Sequence, residues 1–316
     1  MCLKIPPMPR SADIEVTTKC NLACTICQRT YWDRPSIDMP LELFRSVIDQ
    51  IPTLRSAKLH GIGEPLLNPQ FFDMIRYAKR AGLFVWSYSN GTLLHLSNHA
   101  DQLLLSGLDL LRVSIDGTDA RSYERIRVKA SWDQVIENVQ FLVQRRKALG
   151  SDLAIELWMV GLKSNICQAP DLAELGARLQ VDAARIQMVA NTYDYKPEVG
   201  QRLVSIPIKL EDNPQLHLMQ AQERARQLNI TFEAATQKQH SRQSQCPWPF
   251  TRTFISVEGL VVPCGTIADP RAVNFGSLAA KDFEVIWKSD AYQAFRERHI
   301  AYDIPRFCQR CYDSVA

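Results

Sequence analysis

The chain has 316 residues, 46% of them hydrophobic, with a formal net charge of +3. That suits one large domain, or one domain with a small appendage, able to bury a full core. The charges are mixed without a long basic run and no window approaches 18 uninterrupted apolar residues, so neither nucleic acid nor a membrane is expected as a partner.

Residues 1–12 read as an extended, proline-rich lead-in without the apolar core of a signal peptide, which points to a cytoplasmic protein. A strand is expected at 14–18. A loop carrying Cys20, Cys24 and Cys27 follows, then an amphipathic helix at 41–51 with Leu43, Phe44, Val47 and Ile48 apolar. Strands at 57–60, 84–88 and 110–115 alternate with helices at 69–81 and 99–105. The helix at 133–148 is strongly periodic, with Val135, Ile136, Val139, Leu142 and Val143 on one face and Arg145, Arg146 and Lys147 near its end, where cations suit the dipole. Strands at 154–160 and 184–189 flank a helix at 170–179. Six repeats of strand and helix without consecutive hairpins predict a parallel sheet with right-handed crossovers, open or curled into a barrel. In such α/β sheets chemistry gathers where strands end, and the cysteine loop follows the first strand onto that face.

Residues 191–215 contain Pro197, Gly200, Pro207 and Pro214 and little periodicity, as expected of a linker or a loop over a barrel mouth. A helix at 215–228 and a strand at 230–234 close a first domain, residues 1–235. Polar residues 236–245 mark the boundary to a second, residues 236–316. There a hairpin is expected at 254–263, pivoting on Gly259, followed by a helix at 282–299 capped by Asp282 and carrying a core residue, Trp287.

Nine cysteines in a cytoplasmic chain favour metal or redox chemistry over a disulfide scaffold. Cys20, Cys24 and Cys27 supply three thiolates where a closed tetrahedral site takes four, which leaves one position open. Cys246 before the hairpin, Cys264 at its end, and Cys308 and Cys311 after the helix would together close a four-thiolate site. By spacing alone, zinc and iron–sulfur clusters both remain open. Between these groups, Gly61 and Gly63 after the second strand would let a ligand approach the backbone, and Glu64 beside them could accept hydrogen bonds from an ammonium group, although a plain turn has the same look. Residues 89–92 and 114–117 carry ordinary turn chemistry, with Asp116 expected to order its own turn. Lys163, Asn165 and Cys167 after the fifth strand, and Gln187, Asn191 and Tyr193 at the end of the sixth, are either substrate-facing or plain surface residues.

The Cys-x-x-x-Cys-x-x-Cys loop after a short strand resembles the signature of radical S-adenosylmethionine (SAM) enzymes. One departure is Ile26, where the family commonly has an aromatic residue near the adenine. The run from Cys246 through Gly259 to Cys264, followed by helix and Cys-x-x-Cys, resembles the SPASM auxiliary-cluster module in its shortened twitch form. The resemblance implies a partial (β/α)6 barrel open on one side, with a small C-terminal iron–sulfur domain of β-hairpin plus helix. It implies a SAM-binding [4Fe–4S] cluster on Cys20, Cys24 and Cys27, one auxiliary [4Fe–4S] cluster on Cys246, Cys264, Cys308 and Cys311, SAM itself, and an electron donor such as flavodoxin or ferredoxin. By the same resemblance Gly63 and Glu64 receive the SAM amino group, Ser114 and Arg127 hold its carboxylate, and Asn90 lines the pocket. The implied reaction is reductive cleavage of SAM and hydrogen abstraction from a polar small molecule. The cysteine spacing is close to that of an aminocyclitol dehydrogenase of the family, so two-electron dehydrogenation leads. The alternatives are a redox-neutral epimerase with Cys167 as hydrogen donor, peptide crosslinking, and a metal-bound interaction module without catalysis. Only 19 residues precede Cys20, which leaves no expected room for a leader-recognition domain and favours a small molecule.

Overall fold

The computed structural model describes residues 5–96, 98–188, 213–235 and 240–312. Cys2, Asn191, Tyr193, most of the 191–215 stretch and positions 236–239 of the polar boundary lie outside the described residues.

Seven strands pair in parallel in chain order: β1 (Ser11–Ile14), β2 (Ser56–Leu59), β3 (Phe84–Ser89), β4 (Leu110–Ser114), β5 (Ala154–Gly161), β6 (Ala183–Met188) and β7 (Thr231–Ala235). The strand expected at 230–234 thus extends the six-fold repeat by one. Helices α1 (Leu41–Asp49), α2 (Phe71–Arg80) and α3 (His99–Leu105) lie where the periodicity puts them. A short helix, α4 (Ala120–Ile126), has no periodic signal in the sequence and starts where Asp119 accepts the backbone N–H of Ser122 at 2.9 Å. Then come α5 (Trp132–Leu149), α6 (Ala169–Leu179) and α7 (Pro214–Gln227).

The two-residue alternation of the strands sorts their side chains. Ala57, Leu59, Val85, Leu111, Val113, Ile155 and Leu157 belong to one buried cluster with Phe44, Val47, Ile75, Leu103, Val139 and Leu172 of the helices. Burying a side chain of this size contributes roughly 1.5–3 kcal/mol. The other face is polar and aromatic. The Arg112 guanidinium bonds Glu156 at 2.8 Å and Tyr88 Oη at 3.1 Å, and lies 4.3 Å from the Trp158 ring centre and 4.8 Å from that of Trp86. Lys58 pairs with Asp13 on the same side.

Three expectations are corrected. First, β1 occupies residues 11–14, not 14–18. Beyond Ile14 the chain leaves the parallel ladder: Met39 N donates to Val16 O at 2.9 Å and Thr18 N to Ile37 O at 3.0 Å. Second, the hairpin expected at 254–263 spans residues 252–262 and joins the parallel sheet. β8 (Arg252–Ile255) pairs in parallel with β1, and β9 (Val261–Val262) runs antiparallel to β8, with Gly259 at φ +79° in the turn. Third, the helix expected at 282–299 is two. A one-turn helix, α8 (Trp248–Thr251), precedes them; α9 (Phe283–Trp287) ends before Ser289, whose hydroxyl caps α10 (Asp290–Ala301). Asp282 precedes α9 without capping it; Gln50 instead accepts the Phe283 N–H at 2.7 Å. Trp287 is fully buried, as expected.

Gly63 has a role of packing. A Cβ there would stand 2.5 Å from the carbonyl oxygens of both Thr17 and Lys19, so the close approach is by the cysteine-loop backbone itself. Gly63→Ala is expected to lower stability by about 1–3 kcal/mol in denaturant unfolding; an unchanged midpoint would show that the two segments are free to separate.

Candidate functional site

The cysteine loop is held on several sides by backbone that follows other strands. Ala23 N donates to Val128 O at 3.1 Å and Thr25 N to Ile126 O at 2.9 Å, which sets Arg127 between two anchoring carbonyls. Glu64 N donates to Lys19 O at 2.7 Å. The Asn90 amide donates to Asn21 Oδ1 at 2.9 Å and accepts the Thr92 N–H at 2.9 Å, while Asn21 donates to Thr92 Oγ1 at 2.8 Å. Asn90 is thus brought to the loop, together with Asn21 and Thr92, which the sequence reading did not single out. A cavity of about 310 Å³ opens beside the loop, lined among others by Cys20, Leu22, Arg29, Trp32 and Ile62.

Burial, opposed by the Arg127 charge, pushes the Cys24 thiol up to about 12, and burial raises Cys20 and Cys27 as well. Three such thiols within electrostatic reach of one another would be costly as bare thiolates. A metal centre offsets that cost, since coordination deprotonates a thiol outright. The donor set therefore fits a cluster with one iron left open.

Arg127 Nε donates to Asp116 Oδ2 at 2.6 Å, and Asp116, fully buried, also accepts the Val160 N–H at 2.8 Å. Asp116 therefore orients Arg127 rather than only ordering its own turn. Asn165, expected to face substrate or solvent, is fully buried, with its amide donating to Asp116 O and Val160 O at 3.0 Å each. Glu64 accepts from Asn90 N at 2.7 Å, Ser89 Oγ at 2.9 Å and Leu66 N at 3.3 Å, and burial raises it to about 7 despite them. Ser114 ends β4 two residues before Asp116, half-buried. Cys167 lies exposed in the turn Ile166–Gln168, and Lys163 and Gln187 are exposed too. His60, which follows β2, is 5.0 Å from the Tyr88 ring and is lowered to about 3 by burial and by Lys58.

Cys246, Cys264, Cys308 and Cys311 line one pocket with Phe295, Phe307 and His299. Burial pushes Cys246 up to about 11, Cys264 up to about 12 and Cys308 higher still. Four partly buried cysteines around one small cavity fit a cluster fully ligated by protein. The hairpin that leads to Cys264 is tied to the first site through Arg34, which lines the first cavity and bonds Glu15 at 2.8 Å and Glu258 at 3.0 Å.

The comparisons agree with this geometry. The model of the radical SAM superfamily matches residues 14–155, and that of the SPASM iron–sulfur cluster-binding domain matches residues 246–312. The chain is 27% identical over 302 residues to the tungsten-containing aldehyde ferredoxin oxidoreductase cofactor-modifying protein of Pyrococcus furiosus, covering 90% of this chain and 82% of the relative. It is similar in fold to Streptococcus suis SuiB bound to SAM, with TM-score 0.73, 15% identity and coverage of 92% and 68%. BtrN in complex with SAM and 2-DOIA aligns at TM-score 0.53, 15% identity and coverage of 92% and 87%. The two matched domains imply [4Fe–4S] clusters and SAM as cofactors. The chain belongs to the radical SAM superfamily and carries a C-terminal SPASM domain.

Proposed function

We propose that this radical SAM enzyme dehydrogenates a polar small molecule of aminocyclitol or sugar type, an alcohol to a ketone. The observation that carries the reading is the pocket shared by four partly buried cysteines, at the end of a hairpin that Arg34 joins to the end of the strand leading into the three-cysteine loop. When bound, the groups supply reductive cleavage of the sulfonium, hydrogen abstraction by the 5′-deoxyadenosyl radical and removal of a second electron, so that SAM and an alcohol give methionine, 5′-deoxyadenosine, a ketone and a proton.

The chain's own residues bind and orient. Cys20, Cys24 and Cys27 hold the first cluster and leave one position for SAM. Glu64, already held by three donors, has acceptor capacity left for the SAM amino group beside Gly63. Arg127 commits Nε to Asp116 and keeps its terminal nitrogens for a carboxylate, with the Ser114 hydroxyl as second donor. Asn90 lines the same pocket. The charged and aromatic inner face around Arg112, Tyr88 and Trp158 supports a hydroxylated substrate. Peptide modification is the second reading, supported by the fold shared with SuiB, which has also been solved with its precursor peptide SuiA.

Reconstituted anaerobically and reduced, the protein is expected to release 5′-deoxyadenosine from SAM, and with a competent aminocyclitol to form ketone in equal amount. Solvent deuterium in a product of unchanged oxidation state would replace dehydrogenation by epimerisation. Under the dehydrogenase reading Cys167→Ala keeps turnover within about twofold, because an exposed substitution away from the site costs little; loss of product with SAM cleavage retained would make Cys167 the hydrogen donor.

Glu64 takes up a proton as pH falls through about 7, and the protonated acid loses the acceptor that SAM requires. SAM affinity measured from about pH 8 down to about pH 6 is therefore expected to fall by up to about tenfold per unit. In Glu64→Gln the profile flattens. A pH-independent affinity in the unsubstituted protein would remove Glu64 from the SAM site.

A further inference from the structure

The four-cysteine pocket contains a polar group that the structure leaves unused. His299, on α10, is 1% exposed and lines the same cavity as Cys246, Cys264, Cys308 and Cys311. Its Nδ1 lies 3.0 Å from Tyr312 Oη, and that oxygen accepts the backbone N–H of Cys246 at 2.9 Å. A phenol that accepts one bond still has a hydrogen to place, and Tyr312 is itself only 9% exposed. Donating that hydrogen to Nδ1 satisfies both groups. Nδ1 is then the acceptor, so the neutral ring has its proton on Nε2. Burial keeps the ring neutral, lowering it to about 4.

Nε2 has no hydrogen-bond partner among the described residues. Phe295 packs edge-on against the ring at 4.7 Å and offers no acceptor. A buried N–H donor without an acceptor of its own, on a residue that lines the four-cysteine cavity, calls for an acceptor inside that cavity. Cluster sulfurs are acceptors of that kind, and hydrogen bonds to them are among the factors that set a cluster's potential.

We propose that His299 donates Nε2–H to a sulfur of the auxiliary cluster and holds that cluster's reduction potential above the value the four thiolates alone would set. The proposal rests on the auxiliary-cluster reading of this pocket. The sign follows from charge: reduction adds an electron to the cluster, the donor stabilises the more negative state, and removing the donor disfavours reduction. His299 touches no substrate and acts only through the cluster, as a positioning residue. Tyr312 fixes its tautomer.

The full chain carrying Cys20→Ala, Cys24→Ala and Cys27→Ala isolates the auxiliary site. If this variant binds no iron and sulfide, the auxiliary-cluster reading fails, and the inference with it. With the cluster present, a redox titration followed by electron paramagnetic resonance is expected to give a more negative midpoint after His299→Phe, with His299→Gln, which keeps a donor, restoring part of the shift. An unchanged midpoint in an intact cluster overturns the inference alone. Should the Phe variant lose its cluster, the protein with native His299, labelled with 15N-histidine, gives an independent answer. Pulsed resonance of the reduced cluster is expected to show a weak histidine-nitrogen coupling, and its absence overturns the proposal.

Discussion

Everything at the site depends on one short strand with two parallel neighbours. β1 pairs with β2 on one side and with β8 on the other, in register over all four residues, Ser11 to Ile14. Its C-terminal end leads into the three-cysteine loop, while β8 and β9 lead to Cys264 of the four-cysteine pocket. The ladder on one edge of β1 thus positions the residues near Glu64, and the ladder on its other edge positions the auxiliary pocket. Two cysteine groups far apart in sequence are placed relative to one another by backbone hydrogen bonds rather than by flexible side chains.

Burial of charge is the cost of this arrangement, and the chain offsets it locally. Glu15 is fully buried, and burial raises it even though Arg34 and the Val257 N–H oppose the shift. Arg34 in turn shares its guanidinium with Glu258, so a three-member network spans the junction between β1 and the hairpin. Asp116 and Arg127 form a second buried pair. Such pairs add little net stability, but each partner left alone would be an uncompensated buried charge, so they specify one geometry. The cysteines follow the same logic: burial raises Cys20, Cys24, Cys27, Cys246, Cys264 and Cys308 as thiols, and a metal centre would offset the cost of their thiolates.

The polar and aromatic inner face shows how little a strand sequence reveals about the side it does not share with helices. Arg112, Glu156 and Arg185 pair across three strands, and Trp86, Tyr88 and Trp158 pack around the Arg112 guanidinium. In the sequence each is one polar or aromatic residue in an apolar run. The partners lie more than 20 residues apart, and a parallel register brings them together.

Periodicity and residue spacing by themselves determined the helices α1 to α3 and α5 to α7, the parallel strands to within a few residues, and the two cysteine groups, because these signals repeat within a window shorter than one element. The ends of β1, the break before Ser289 and the helix α4 were not legible. The end of β1 is set by distant partners, residues 37–39, which draw the chain off the ladder after Ile14, and the residues that close and follow α4 are held by the cysteine loop, whereas α10 and α4 start at single caps, Ser289 and Asp119, that look like ordinary turn residues in the sequence. The same holds for side-chain roles. Gly63 was legible as a glycine that must be approached closely, but the approaching atoms belong to Thr17 and Lys19. Asp116 looked like a turn residue until the fold set it against Arg127. A ladder partner 40 residues away, or a buried imidazole in one cavity with four cysteines, exists only once the chain has closed on itself, since sequence spacing carries no information about which distant groups share a cavity.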